Sequence, residues 1–309
     1  MSFVSRITAT LAVLAALSAP ALAATPKVVT TTEDLASLVR EVGGDKVTVD
    51  AIARGYQDPH FVDPKPSFIL KLHDADLLVA VGRELEIGWL PPLLTQSRNA
   101  KIQPGSPGYI DASIGVRILE LPTGQITRAM GDVHPQGNPH YWLDPENGRV
   151  IAKSILEALD RLSPGDEAYF KQRYADFDKR LTDAQARWAA TMAPYKGTKI
   201  VTYHRSWPNF TERFGLDVIG YVEPKPGIPP SPSHTLEVIG EMKKQQAKVI
   251  LVEPYFDTKT PDSIAREVGG KVLVLSPSVG GVKEASDYIK LFDYDVSQLA
   301  ATFKQVLGR

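Results

Sequence analysis

Cysteine is absent from all 309 residues of the chain. That excludes disulfides, thiolate metal ligands and a cysteine nucleophile, and it leaves no thiol to carry a lipid anchor. Excess positive charge is absent as well: 35 Lys and Arg stand against 36 Asp and Glu, a formal charge of −1. No basic stripe is available to neutralise phosphates, so nucleic acid is not an expected partner. No run of about 18 apolar residues follows the N-terminal segment, so none is long enough to cross a bilayer. The spacings His-Glu-x-x-His, Gly-x-Ser-x-Gly and Gly-x-x-x-x-Gly-Lys do not occur, and no hydrolytic or nucleotide-cleaving framework is evident. With 43% hydrophobic and 23% charged residues, the chain has an ordinary soluble composition and length for two lobes.

The first residues carry a different pattern. Arg6 precedes an apolar stretch from Ile7 to Leu17, and Ala21-Leu22-Ala23 supplies small residues at a cleavage position. A secretory signal over residues 1–23 is expected, with release of a free periplasmic protein that is not lipid-anchored. Beyond it, strand and helix patterns alternate: strands at 27–31, 47–52 and 77–81, helices at 33–42 and 66–73. Residues 103–139 are rich in Pro and Gly and read mostly as loop. After two helical stretches the alternation resumes, with strands at 199–203, 218–222, 249–252 and 272–275. Helices are predicted at 207–214, 233–246, 261–268 and through most of 284–307. Such alternation predicts an α/β fold of two lobes with mainly parallel sheets.

The lobes are expected at 24–143 and 194–309, joined by a helical segment at 144–193. Within that segment Phe170, Tyr174, Phe177, Leu181, Ala184 and Trp188 recur at alternating spacings of four and three. One apolar stripe on a helix of about 28 residues, about 42 Å long, follows from that spacing. The stripe is too short for a coiled-coil dimer seam and lies between two α/β patterns, so a rigid interlobe helix in a monomer is expected.

The segment Gly137-Asn138-Pro139-His140-Tyr141-Trp142-Leu143-Asp144-Pro145 places an imidazole just before a helix start, where Asp144 is a cap and Pro145 a first-turn residue. His60 lies in the turn-rich Gln57 to Pro64 segment, His204 directly after a predicted strand, and Glu253 directly after another. Ligands of open α/β sheets gather beyond the carboxyl ends of strands, so these residues are expected to face a cleft. His60, His140 and His204 plus one oxygen donor would satisfy the tetrahedral preference of zinc without thiolates. Glu253 is the first candidate for that fourth place, ahead of water and Asp287. Of the remaining histidines, His134 is a candidate for an accessory role, while His73 and His234 are expected to be structural.

The quoted segments, with Asp58-Pro59-His60, Pro64-Lys65-Pro66-Ser67, Gly82 to Trp89, Pro230-Ser231-Pro232 and Val252-Glu253-Pro254, resemble the periplasmic zinc/manganese solute-binding proteins of ABC transporters. The similarity spans the mature chain. It implies two lobes on a rigid helix, a metal in the cleft between them, and delivery to a membrane ABC permease, with a periplasmic metallochaperone as a further partner open to this class. It matches His60, His140 and His204 to the family's first three ligands, and a histidine at the third place resembles zinc-type members; Mn2+ or Fe2+ is the alternative cargo. Two departures stand out. The segment Val274-Leu275-Ser276-Pro277-Ser278-Val279 has no carboxylate where the family usually supplies a fourth-ligand aspartate. The loop before His140 carries His134 alone, in place of a histidine-rich insert.

Zn2+ capture, rather than catalysis, is the function expected. A three-histidine zinc hydrolase and a surface adhesin are the rivals; the first lacks catalytic motifs and the second lacks an anchor. Affinity is expected to weaken as pH falls toward and below about 6.5, the unperturbed histidine value, and lobe motion on release is expected to be small.

Overall fold

The structure, a computed structural model, describes residues 25–308 except 125, 126, 128 and 129. The expected signal segment at 1–23 lies outside the described residues. The first lobe is built on β1 (Lys27–Thr30), α1 (Glu33–Gly43), β2 (Thr48–Ala51), α2 (Pro66–Asp74), β3 (Leu77–Ala80), α3 (Leu90–Ser97) and β4 (Tyr109–Asp111). Then come α4 (Pro145–Leu162) and the long α5 (Glu167–Met192). The second lobe holds β5 (Lys199–Thr202), α6 (Pro208–Phe214), β6 (Asp217–Tyr221), α7 (Pro232–Gln245), β7 (Val249–Val252), α8 (Lys259–Val268), β8 (Lys271–Val274) and α9 (Tyr288–Leu307).

Each lobe has one four-stranded sheet, in the orders β2-β1-β3-β4 and β6-β5-β7-β8, with every pairing parallel. The two orders are the same topology written twice. In both sheets the strand order reverses beside the lobe's first strand, which leaves a crevice beyond the strand ends where ligands collect. The expected two-lobe α/β fold is thus present. Two elements depart from expectation. The helix α3 begins Leu90-Pro91-Pro92, whose prolines occupy its first turn rather than breaking it. The strand β4 is a three-residue edge inside the Pro- and Gly-rich stretch.

α5 has 26 residues, about 39 Å at 1.5 Å per residue; its first turn is replaced by a 3-10 turn at Pro164–Asp166. The stripe residues Phe170, Phe177, Leu181, Ala184 and Trp188 are buried. They belong to one apolar cluster running from Val28, Leu35 and Leu77 of the first lobe to Ile200, Leu251 and Phe292 of the second. α5 packs on α1, α4 and α9. The lobes therefore share a core instead of meeting at a wet hinge.

The seam is also tied by polar bonds. Trp142 Nε1 donates to Pro277 O at 2.9 Å, the Tyr288 N–H to Ser37 Oγ at 2.9 Å, and Arg213 grips Asp144 through two bonds of 2.7 and 2.8 Å. Tyr288 lies over Gly148 of α4, where an added Cβ would stand 2.3 Å from the phenolic oxygen. Asp34 of α1 accepts the Val279 N–H at 2.8 Å while its other oxygen is buried without a partner. Burial pushes the Asp34 carboxyl up to about 7. Asp295 of α9 is buried as well; burial first, and the charge of Asp34 second, holds it above the carboxylate range.

Two outcomes are expected of this seam. Gly148→Ala forces a methyl against a fully buried ring and should cost about 1–3 kcal/mol in urea unfolding; an unchanged midpoint would show that the seam is loose. Asp34 ionises later folded than unfolded, so its contribution is largest below about pH 4 and is lost as pH rises toward 7. Asp34→Asn should therefore gain stability relative to wild type across that window, by up to about 1.4 kcal/mol per pH unit, and remain level above it. A difference independent of pH would contradict this.

Candidate metal centre

His60 is placed by the β2–α2 loop, His140 by the segment before α4, and His204 by the carboxyl end of β5. One ring nitrogen of each lies within 4.8 Å of the others. Ring centroids are 5.1 Å apart for His60 and His140, 5.5 Å for His60 and His204, and 5.5 Å for His140 and His204. Residues 60, 140 and 204, remote in sequence, thus meet at one point between the lobes.

The keystone is a short 3-10 turn, Tyr141–Leu143, directly after His140. The Tyr141 hydroxyl donates to Val81 O at 2.6 Å in the first lobe, and Trp142 donates to Pro277 O in the second. Asp144 caps α4 by accepting the Glu146 N–H at 2.9 Å, with Pro145 in the first turn, as the sequence predicts. His140, 2% exposed, is therefore held by a turn anchored in both lobes.

Each ring is held by its Nδ1. His60 Nδ1 lies 2.7 Å from Asp58 Oδ1, which also accepts the His60 backbone N–H at 3.0 Å. His140 repeats the arrangement with Asn138 Oδ1, at 3.0 Å to Nδ1 and 2.9 Å to the backbone N–H. The Asn138 amide nitrogen donates to Glu120 and to Arg205 O, which fixes its oxygen as the acceptor toward His140. His204 Nδ1 lies 2.7 Å from Glu223 Oε2, just beyond β6. With Nδ1–H donated to these acceptors, Nε2 of each ring keeps a bare lone pair. The Nε2 atoms of His60 and His140 are buried and have no hydrogen-bond partner.

Charge follows the same plan. Burial, and then the charges of His60, His204 and His134, push the His140 imidazole well below its usual range, so it is neutral. Burial also works to lower His204, but the Glu223 hydrogen bond and the charges of Glu253, Glu223 and Asp58 outweigh it and raise the value. Burial opposes the charge of Asp58, yet its bonds with His60 and the neighbouring histidine charges leave it below the ordinary carboxylate range. The carboxylates of Asp58 and Glu223 stand behind two of the imidazoles, and a divalent cation would neutralise their charge.

Glu253 is fully buried. Its Oε1 accepts the Trp207 indole N–H at 2.9 Å, its Oε2 has no partner, and it is not in the group whose donors meet within 4.8 Å. Burial holds its carboxyl above the ordinary value. Asp287 caps α9, accepting the Lys290 N–H at 2.9 Å. His73 is bound to Ser97 O and His234 to Tyr221 O, structural places as expected. Asp58, Asn138 and Glu223 were not singled out from the sequence, although the first two share a visible signature, Asx-Pro-His.

His134 stands beside the cluster, its ring centroid 5.3 Å from that of His60. Its Nε2 is buried and unpartnered. Burial, then the charges of His60 and His204, push it down to about 4. Two cavities of about 500 and 630 Å³ open on the site, one lined by His60, Phe61 and Trp89, the other by Leu121, His140 and His204; His134 lines both.

A family model described as zinc-uptake complex component A, periplasmic, matches residues 28–302. The manganese ABC transporter substrate-binding lipoprotein PsaA of Streptococcus pneumoniae is 25% identical over 283 residues, 89% of this chain and 87% of that one. The high-affinity zinc uptake system protein ZnuA of Bacillus subtilis is 24% identical over 263 residues, 84% and 81% of the two chains. A crystal structure of ZnuA superposes with a TM-score of 0.76 at 24% identity, covering 90% of this chain and 99% of that one. A manganese-bound periplasmic metal-binding protein from Candidatus Liberibacter asiaticus gives 0.74 at 19% identity, with coverage of 90% and 99%. Those curated relatives are named for transport and not for catalysis, and PsaA is named a lipoprotein whereas this chain has no cysteine. The chain belongs to the periplasmic zinc-uptake component A family, the metal-binding solute-binding components of metal ABC transporters.

Proposed function

We propose that this protein captures Zn2+ in the cleft between its lobes on His60, His140 and His204, and delivers it to the permease of an ABC importer. The lobes are taken as residues 24–143 and 194–309, joined through 144–193, and the mature protein as a free periplasmic monomer without a lipid anchor. The observation that carries the reading is the convergence of three imidazoles whose Nδ1 atoms are already committed to Asp58, Asn138 and Glu223. Such preorientation fixes the tautomer and strengthens the donor.

Imidazole donors favour zinc over manganese, which prefers carboxylate, carbonyl and water oxygens. Manganese is the second reading, because a relative of similar identity is named for that metal. Purified native protein should hold one equivalent of zinc, retain it in competition with excess manganese, and lose it in His60→Ala, His140→Ala or His204→Ala. Manganese outcompeting zinc, or undiminished binding in these variants, would overturn the reading.

Zinc competes with a proton for His204, whose value is raised because Glu223, Glu253 and Asp58 outweigh the lowering effect of burial. Affinity should therefore begin to fall above about pH 6.5, the free imidazole value, as pH is lowered. Glu223→Gln removes a raising influence, so the fall should move to lower pH, with affinity about 10-fold or more weaker near pH 8 from the lost orienting charge. Zinc titrations across pH test both signs; an unmoved midpoint would assign the proton competition elsewhere.

A further inference from the structure

We propose that His134 is the fourth protein ligand of the captured cation, closing a four-imidazole site from a strap that crosses the mouth of the cleft. The proposal rests on the metal-capture reading above and names the donor that reading leaves open. Three observations carry it.

The first is unspent capacity. Among the described residues the unpartnered buried histidine nitrogens are Nε2 of His60, His134 and His140. A buried ring nitrogen without a partner forfeits its hydrogen bond to water, and a metal ion supplies the missing partner. His134 stands 5.3 Å from His60, ring to ring, about as far as His60 stands from His204.

Placement is the second. The stretch Asp132–His134 lines both cavities and so forms the wall between them. It is fastened at either side: the Asp132 N–H donates to Pro226 O at 2.9 Å in the second lobe, and Arg83 Nη1 of the first lobe donates to Gln136 O at 3.2 Å. A turn closed by the Gly137 N–H on His134 O at 3.1 Å leads into Asn138 and His140. Gly137 has φ +92°, and a Cβ there would meet Ile118 Cγ2 at 2.4 Å, so the turn depends on glycine. Two of the four imidazoles thus come from one seven-residue stretch whose conformation is fixed.

The third is the state of the other candidates. Glu253 has one of its two oxygens committed to the Trp207 N–H and, like His134, lies outside the converging group, and Asp287 is spent on the start of α9. His134 itself is not among the three rings whose donors meet within 4.8 Å, so its ring closes on the ion as the ion enters. Loading then ties the strap to both lobes through the metal.

Cobalt(II) and zinc binding to His134→Ala tests this. Cobalt(II) bound to the wild-type protein should show the intense visible bands of a four-coordinate site. His134→Ala should bind one equivalent with zinc affinity lowered about 10-fold or more, and its cobalt bands should weaken as water adds to the metal. Added free imidazole should restore the bands in the variant, which a general misfolding of the strap would not permit. If His134→Ala keeps wild-type affinity and spectrum while His140→Ala binds nothing, the fourth ligand is not His134 and metal capture stands. If His140→Ala also binds as wild type, both fall.

Discussion

Three imidazoles aimed at one point form an arrangement that the rest of the molecule has to maintain without help from attraction between the rings. Lone pairs on the converging nitrogens repel, and burial denies them water. The stabilising contacts all lie on the far side of the rings, where Asp58, Asn138 and Glu223 engage the Nδ1 atoms. Each acceptor is rooted in the fold: Asn138 is locked through its amide to Glu120 and Arg205, and Glu223 donates its backbone N–H to Tyr203 O. The site is preformed because its outer bonds are made before any ion arrives.

Preformation needs lobes that do not drift. The core shared through α5, the buried turn at Tyr141–Leu143 and the seam at Tyr288 supply this, since apolar packing across a continuous interior resists gradual deformation. On the metal-capture reading, such a core leaves side chains and short segments to respond to the cargo and resists a swing of one lobe against the other. The duplicated sheet order adds a second consequence: His60, beyond β2 of one lobe, and His204, at the end of β5 of the other, come from corresponding sides of the two sheets and meet at one cluster.

Much of this was legible in the sequence. Strand and helix positions followed from apolar periodicity, and the stripe from Phe170 to Trp188 announced a helix buried on one face along its length. His60 and His204 were placed near a cleft by their positions after strands, and His140 by the cap and proline behind it. The orienting shell was harder to read. Asp58-Pro59-His60 and Asn138-Pro139-His140 repeat one local device, an Asx side chain accepting from the backbone and ring of a histidine two residues on, and the repetition was visible in principle. Glu223 was not, because it reaches His204 only through the pairing of β5 with β6. His134 could be read only as a candidate for an accessory role, because it sits in a Pro- and Gly-rich stretch where neither period applies. The Asp34 and Asp295 carboxyls gave no signal at all, being ordinary acidic residues until tertiary packing buries them.

The central claim is that Nδ1 of each cluster histidine is committed to the protein and Nε2 to the ion. Correlated 1H–15N spectra of the histidine rings near pH 8, where free imidazole is about fully neutral, read that assignment directly. His60, His140 and His204 should show protonated Nδ1 before and after one equivalent of zinc, with only their Nε2 resonances displaced by the metal. Displacement at Nδ1 of any of the three, or ring signals indifferent to zinc, would contradict the account.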